Sequence, residues 1–157
     1  MYWTRYGGSD GTTVRKGGMD GSNPTNLVAG SGWANGIQID FTTRRLYWAD
    51  RDNKRIQSSN LYGGDVRTIV DQLPAFPSGI ALVDDRLYWG SWGSYRIESM
   101  SIQNRSDQRV EHTERSAPHH LTVPLRNLPP NRRNHCEGRV CSGVCVLTPS
   151  SYTCVSS

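Results

Sequence analysis

A Tyr-Trp pair occurs three times in this chain, and the spacing of the pairs constrains the fold more than any other feature. The pairs are Tyr2-Trp3, Tyr47-Trp48 and Tyr88-Trp89, so that 45 residues separate the first two pairs and 41 the last two. Self-similarity at a period of about 20–50 residues is the signature of repeat architectures such as solenoids and propellers. We therefore expect repeated structural units, each of which carries one pair.

The middle repeat contains four short runs of β-type residues separated by turn signals. The runs are 36–40, 45–49, 54–60 and 65–70. Four strands at a period of about 40 residues are typical of one blade of a β-propeller. Because successive side chains of a strand point to opposite faces, Tyr47 and Trp48 each need a cover, which the two neighbouring blades would supply. An immunoglobulin-like sandwich with coincidental Tyr-Trp pairs is the alternative fold.

The repeat resembles the class B repeat of low-density lipoprotein receptors, which is named for a Tyr-Trp-Thr-Asp motif and builds a six-bladed propeller. The residues that carry the resemblance are Asn-Gly-Ile-Gln-Ile-Asp at 35–40 and Arg-Leu-Tyr-Trp-Ala-Asp at 45–50, followed by Arg55-Ile56 and a Gly-Gly turn. The resemblance extends over residues 2 to about 124, with three repeats in register.

This resemblance implies an all-β fold, a three-bladed part of a six-bladed propeller. The expected units are blades at about 1–30, 31–73 and 74–113 and a closing inner strand at 119–124. Only Asp50 keeps the aspartate of the motif, since Arg5 and Ser91 occupy that position in the other two repeats. The missing propeller blades of the full-length chain are then expected as packing partners.

Four cysteines lie near the end of the chain, after a linker at 125–134: Cys136, Cys141, Cys145 and Cys154. Four thiolates could hold a zinc ion, and four cysteines allow three disulfide connectivities. Residues 135–157 resemble the start of an epidermal-growth-factor-like module, truncated before its last two cysteines. That resemblance implies disulfides Cys136–Cys145 and Cys141–Cys154, and with them an oxidising, extracellular compartment. No acidic residue directly precedes Cys136, so we expect no calcium there.

The function that the resemblance implies is non-enzymatic. The chain would bind protein ligands, or space other modules, in the ectodomain of an endocytic lipoprotein-receptor-related protein. Expected partners are lipoproteins and secreted or matrix proteins, on the extracellular or lumenal side of the plasma membrane and endosomes. The chain contains no apolar run of about 20 residues that could span a membrane and no signal-peptide pattern. Its net charge of +4 is mild and lacks the aromatic-interleaved basic stripe of a nucleic-acid binder.

Two other functions are weighed against this one. A matrix or growth-factor-precursor propeller of the nidogen type would carry the same repeats beside growth-factor-like modules. A calcium-dependent lactonase would need oxygen ligands on the propeller axis, for which Asn35 and Asp40 are the candidates. No nucleophile elbow, metalloprotease motif or phosphate loop occurs, so we expect no enzyme activity and no cofactor.

Two kinds of residue outside the repeat motif carry site predictions. Asn104-Arg105-Ser106 is an N-glycosylation sequon, expected in a surface turn of the last blade. Histidine changes charge near endosomal pH, and all four histidines lie between the last blade and the cysteines: His112, His119, His120 and His135. They are candidates for pH-linked ligand release, and a polar linker that happens to contain histidine is the simpler interpretation.

Overall fold

The computed structural model describes residues 1–7, 11, 13–30, 32–122, 144–147 and 152–155, the last two segments as backbone. All described regular structure is β, in three antiparallel sheets and one separate hairpin. This confirms the predicted all-β, partial-propeller fold. Within the described residues there is no helix of the length and hydrophobicity needed to cross a membrane.

Two Tyr-Trp pairs lie on the second strand of a four-stranded, blade-like sheet, and the first pair lies on the edge strand of a three-stranded sheet. The first sheet contains β1 (Tyr2–Arg5), β2 (Thr13–Lys16) and β3 (Thr25–Ala29). The second contains β4 (Ala34–Asp40), β5 (Arg45–Asp50), β6 (Arg55–Asn60) and β7 (Arg67–Val70). The third contains β8 (Phe76–Val83), β9 (Arg86–Trp92), β10 (Arg96–Ser101) and β11 (Arg109–Thr113). Strand neighbours in each sheet are sequence neighbours, which is the up-and-down order of a propeller blade.

The hydrophobic core consists of two clusters, one between each pair of neighbouring sheets. Trp48 lies with Val14 and Leu46 in the cluster between the first and second sheets. Tyr47 lies with Trp89 in the cluster between the second and third. The tyrosine therefore faces the following blade and the tryptophan the preceding one, as strand alternation predicted.

The first strands of neighbouring blades pack closely enough to need glycine. A Cβ added at Gly36 would lie 2.7 Å from the carbonyl oxygen of Ser78 and 2.9 Å from the Cα of Gly79. Gly79 packs equally closely against residues 118–121, because a Cβ added to it would lie 2.7 Å from the Cα of His120. Residues 118–121 therefore occupy the position of a further blade's first strand.

The expected closing strand at 119–124 differs from what is described. Residues 119–122 form no strand, and 123 and 124 lie outside the described residues. A first strand is held by hydrogen bonds to the second strand of its own blade, and the described residues contain none at that place. The segment is instead tied to the third blade, where the Ser78 hydroxyl contacts the carbonyl oxygens of Gly90 and Pro118.

The one remaining motif aspartate is fully buried and stabilises the turn that follows its strand. Asp50 accepts hydrogen bonds from Arg55 Nε at 2.8 Å and from Asn53 Nδ2 at 3.0 Å. In the third blade a different pair fills this place, because the Ser91 hydroxyl donates to the buried Glu98 carboxylate. The motif aspartate is thus replaceable where a neighbouring strand supplies the carboxylate.

An ion-pair network closes the other end of the second and third blades. Arg45 and Arg67 both contact the Asp65 carboxylate at 2.7 Å, and Arg45 also donates to the Ser58 hydroxyl at 2.9 Å. The third blade repeats the network with the same residue types, namely Arg86, Ser99, Asp107 and Arg109. We call this arrangement the Arg-Asp-Arg clamp.

The clamps predict a pH dependence of stability. Hydrogen bonds from Arg67 and Arg45 hold the pKa of Asp65 below its ordinary value of 3.8. A backbone N–H of Ser101 and the Arg109 side chain do the same for the pKa of Asp107. A carboxyl whose folded pKa is lowered stabilises the fold above the unfolded pKa and loses that contribution as the pH falls through the folded one.

The midpoint of thermal unfolding, followed by circular dichroism between about pH 5 and pH 2, tests this prediction. The double variant Asp65→Asn, Asp107→Asn should show a smaller decline over this range than the unchanged chain. The double variant Asp52→Asn, Asp71→Asn, which removes the same number of charges from exposed positions outside the clamps, is the control. If the unfolding midpoint of the double variant falls as much between these pH values as that of the unchanged chain, the prediction is wrong.

The separate hairpin comprises β12 (Val144–Leu147) and β13 (Tyr152–Val155) and places Cys145 opposite Cys154 in its backbone register. Cys136, Cys141, His135 and the linker at 125–134 lie outside the described residues. The growth-factor-like module and its disulfides therefore stay predictions.

Candidate functional site

One edge of the three blades carries a row of large side chains contributed by equivalent positions. Tyr6 and Arg51 directly follow β1 and β5, and Trp92 ends β9, so each stands one place after the fourth motif residue. Two more rings come from the strand or loop alongside. Trp33 accepts a backbone hydrogen bond from Arg51 at 2.8 Å, and Phe76 pairs with Trp92 across the sheet.

These side chains touch one another across the blade boundaries. The rings of Tyr6 and Trp33 stack with centroids 4.4 Å apart and an interplanar angle of 24°. The Arg51 guanidinium lies 4.3 Å from the Trp33 ring centroid and 4.9 Å from that of Trp92. The Phe76 ring lies 5.2 Å from the same guanidinium. Tyr6, Trp33, Arg51, Phe76 and Trp92 form one continuous surface, which we call the aromatic rim.

Two further side chains extend the rim. The Lys54 ammonium lies 5.1 Å from the Phe76 ring centroid, and the His119 ring lies 5.7 Å from that of Trp92. Lys54 belongs to the turn after β5, and His119 to the segment tied to the third blade. The rim thus contains aromatic rings from all three blades, and the cationic side chains of Arg51 and Lys54 and the imidazole of His119 lie against these rings.

The aromatic rim is open to solvent although its rings are large and apolar. The exposed fraction is 65% for Tyr6, 41% for Trp92 and 38% for Phe76. A contiguous patch of exposed aromatic side chains is typical of an interaction surface. Trp, Tyr and Arg are also the residue types enriched among those that contribute most of the binding energy of an interface.

A cleft of about 300 Å³ opens between the second and third blades beside this surface. Its walls combine the rings of Trp33, Pro77 and Trp92 with four polar or charged residues, Asn35, Arg51, Ser78 and His119. Ligand clefts combine apolar walls with directed polar groups in this way. The aromatic rim and this cleft together are the candidate functional site.

The structure gives the repeat motif residues a structural role. Tyr47, Trp48 and Trp89 are buried in the two cores. Tyr2 packs partly buried against the first core cluster. Trp3 and Tyr88 are half-buried at the outer faces of the arc. None of them belongs to the aromatic rim.

The candidate calcium ligands are far apart. Asn35 lies near the start of β4 and Asp40 at its end, about 17 Å away at the rise of an extended strand. Asp40 is used in the turn after β4, where its carboxylate accepts hydrogen bonds from the backbone N–H groups of Thr42 and Thr43. Among the described residues, no group of three His, Cys, Asp or Glu side chains could hold a metal ion.

The three described histidines have different surroundings. His112 lies on β11, within the third blade and not after it as expected; its Nε2 is 3.6 Å from Glu114, and its side chain is exposed. His119 packs against Trp92 at the rim, while the backbone of His120 lies against Gly79. Only His119 is therefore placed at the candidate site.

The sequon lies in an exposed turn between β10 and β11, as expected of an acceptor site. The Asn104 side-chain oxygen accepts a hydrogen bond from the Ser106 hydroxyl at 2.7 Å. This turn is at the end of the third blade where β10 stops, and the aromatic rim is at the end where β9 stops, so the two lie at opposite edges.

Comparison with known proteins gives the repeat its family. Residues 44–82 match the low-density lipoprotein receptor repeat class B. The vitellogenin receptor Yl of Drosophila melanogaster is 30% identical over 149 residues, covering 94% of this chain and 7% of that protein. Low-density lipoprotein receptor-related protein 5 of Mus musculus is 42% identical over 80 residues, covering 51% of this chain and 5% of that protein. The chain thus spans less than a tenth of the length of these relatives.

Solved structures agree with this assignment. A chain in the crystal structure of a nidogen/laminin complex superposes with a TM-score of 0.67 at 26% identity, over 80% of this chain and 48% of that one. A luciferin-regenerating enzyme shares the fold alone, with a TM-score of 0.61 at 15% identity over 69% of this chain and 39% of the enzyme. The chain belongs to the family of proteins that carry low-density lipoprotein receptor class B repeats.

Proposed function

We propose that this chain is a non-enzymatic, protein-binding part of a receptor-related ectodomain and that it binds its ligand through the aromatic rim. The observation that carries the proposal is the contiguous contact of Tyr6, Trp33, Arg51 and Trp92 across three blades. Tyr6 and Trp92 are exposed in this row, and Trp33 and Arg51 are half-buried. Loops and strand ends on a rigid scaffold are where binding residues concentrate. The relatives named above are receptors, which supports a binding role rather than catalysis.

The ligand class we propose is a secreted protein. Vitellogenin is the first ligand to try, because the relative that aligns over 94% of this chain is named a vitellogenin receptor. A matrix protein is the second candidate, favoured by the structural likeness to a chain in a nidogen/laminin complex. With either ligand, the proposal is that the chain lies on the extracellular or lumenal side of a membrane, as part of a longer endocytic protein.

Loss of either tryptophan of the rim should weaken ligand binding. In surface plasmon resonance, with the chain immobilised at low density and purified vitellogenin or a laminin fragment in solution, Trp33→Ala and Trp92→Ala should each weaken binding by about tenfold to a hundredfold. Tyr62→Ala removes a more exposed ring, 73% accessible, from the turn after β6 and is the matched control. Equal losses in all three variants would contradict a role for the rim.

Release of ligand at endosomal pH is part of the same proposal. His119 is the histidine at which protonation would act, because it packs on Trp92 and lines the cleft together with Arg51. The glycan at Asn104 and the disulfides Cys136–Cys145 and Cys141–Cys154 also stay proposals, which peptide mapping of secreted protein would decide.

A further inference from the structure

We propose that the cleft beside the aromatic rim selects an acidic segment of the partner protein, with an aspartate or glutamate carboxylate bound by Arg51 and an adjoining apolar side chain in the cleft. This inference rests on the proposed function and specifies the chemistry of the ligand. It is carried by the surroundings of one guanidinium.

Aromatic rings occupy the space around the Arg51 guanidinium on several sides. Three ring centroids lie within 5.2 Å of its Cζ, those of Trp33, Trp92 and Phe76. Cation–π contact with several rings restricts the movement of a guanidinium, whose N–H groups are the donors for an acceptor. Arg51 is therefore held in place before any ligand arrives, which lowers the entropic cost of binding one.

No acidic group in the described part of the chain neutralises Arg51. The adjacent Asp50 is turned into the blade, where it pairs with Arg55 at 2.8 Å, and it is fully buried. Asp52 lies in the exposed turn after β5, and it forms no ion pair with Arg51. By contrast, the clamp arginines Arg45 and Arg86 each contact an aspartate.

A second cation on the same edge strengthens the preference for an acidic partner. Lys54 lies over Phe76, the ring that also contacts Arg51. Two positive charges on one aromatic surface attract an acidic segment and steer its approach. A partner segment rich in arginine or lysine would be repelled there.

The cleft decides in favour of a peptide over other anions. A guanidinium binds carboxylate and phosphate equally well in geometric terms. The walls beside Arg51, however, include the rings of Trp33, Trp92 and Pro77, next to the polar residues Asn35, Ser78 and His119. A polypeptide can offer a carboxylate and an apolar side chain at adjacent positions. A sulfated glycan or a phospholipid headgroup carries no apolar side chain next to its charged group.

Selection of peptides on the chain tests the inference. A phage-displayed random peptide library is selected on the immobilised chain, and enriched sequences are made as labelled peptides, each with an Asp→Asn or Glu→Gln counterpart. Fluorescence anisotropy then measures binding to the unchanged chain, Arg51→Gln, Arg51→Lys and the control Arg44→Gln. Arg44 is an exposed arginine in the turn between β4 and β5, at the opposite edge.

The expected result is an enriched acidic residue next to an apolar one. Its amide counterpart should bind about tenfold more weakly, which corresponds to about 1.4 kcal/mol. Arg51→Gln should cause a similar loss and should abolish the difference between the acidic peptide and its counterpart, because the two groups act as one pair. Arg51→Lys should lose part of the affinity, and Arg44→Gln none. If Arg51→Gln does not fold, the amide peptides and Arg51→Lys carry the test.

Three results would overturn the inference. In the first, the enriched peptides bind Trp92→Ala more weakly than the unchanged chain, but they contain no acidic residue or bind Arg51→Gln with unchanged affinity. The rim would then bind protein without the proposed carboxylate. In the second, the affinity of the enriched peptides is unchanged in Trp92→Ala as well, and the proposed function is then wrong too. If a heparin oligosaccharide or phosphatidylserine vesicles bind through Arg51 while acidic peptides do not, the site takes an anion of another class.

Discussion

Trp48→Ala is expected to lower the free energy of unfolding by about 4 kcal/mol, the usual cost of removing a buried tryptophan. Trp48 has no exposed surface and packs between the first and second blades with Val14 and Leu46. Small domains have only about 5–15 kcal/mol of stability in total. The midpoint of thermal unfolding should therefore fall by about 15 °C. Circular dichroism and urea titration measure both quantities.

The first repeat supplies a control with the same residue type at the same position. Trp3 occupies the same motif position, on the edge strand of its sheet, but it is half-buried because no described strand covers that face. Its ring contacts the Arg15 guanidinium at 5.6 Å instead of a packed core. Trp3→Ala should cost about 1 kcal/mol, within the range of partly exposed positions. Equal losses at the two sites would show that neighbouring blades do not determine the burial of these tryptophans.

Much of the fold follows from residue order alone. The four runs expected in the middle repeat lie within two residues of the strands β4 to β7. The opposite burial of Tyr47 and Trp48 follows from strand alternation and from cover on both faces. These features are predictable because they depend on local periodicity and on repetition, both of which are visible in a single sequence.

The aromatic rim was not predicted, and the reason is physical. Its contacts join residues that are distant in the chain, such as Tyr6 with Trp33 and Arg51 with Trp92, so they depend on how the blades are placed side by side. A signal was nevertheless present. The residue after the fourth motif position is aromatic in two of the three repeats, Tyr6 and Trp92, although both side chains are exposed and a polar residue would be the ordinary choice there.

The closing strand shows the opposite limitation. His119 to Thr122 has the position that sequence comparison between repeats assigns to a first strand, as its contact with Gly79 shows. Its backbone is not in a strand, because strand formation depends on a hydrogen-bonding neighbour that the local sequence does not specify. The position of a segment within a blade can be inferred from the repeat. Whether that segment forms a strand depends on the neighbouring strand with which it would form hydrogen bonds.

The outer face of the third blade predicts self-association of the 157-residue chain. Equivalent residues make the comparison direct: Tyr47 and Ile56 are buried by the third blade, whereas Tyr88 and Ile97 are only half-buried. An aromatic side chain buries about 150–250 Å² when fully packed, at about 25 cal/mol per Å². At most about 2 kcal/mol of burial is therefore unrealised at Tyr88 alone, and such a face favours association with another copy.

Sedimentation velocity and light scattering at about 1–50 μM, a range in which weak interfaces associate, should give a mean mass that rises with concentration above the 17.6 kDa of one chain. The double variant Tyr88→Lys, Ile97→Lys should stay close to that mass, because two charges would have to be desolvated to form the same contact. Tyr62→Lys places one charge at an exposed ring away from this face and should associate like the unchanged chain. A monodisperse monomer with a sharp cooperative melt would contradict the uncovered-blade interpretation, because an open apolar face would then neither associate nor destabilise the blade that carries it.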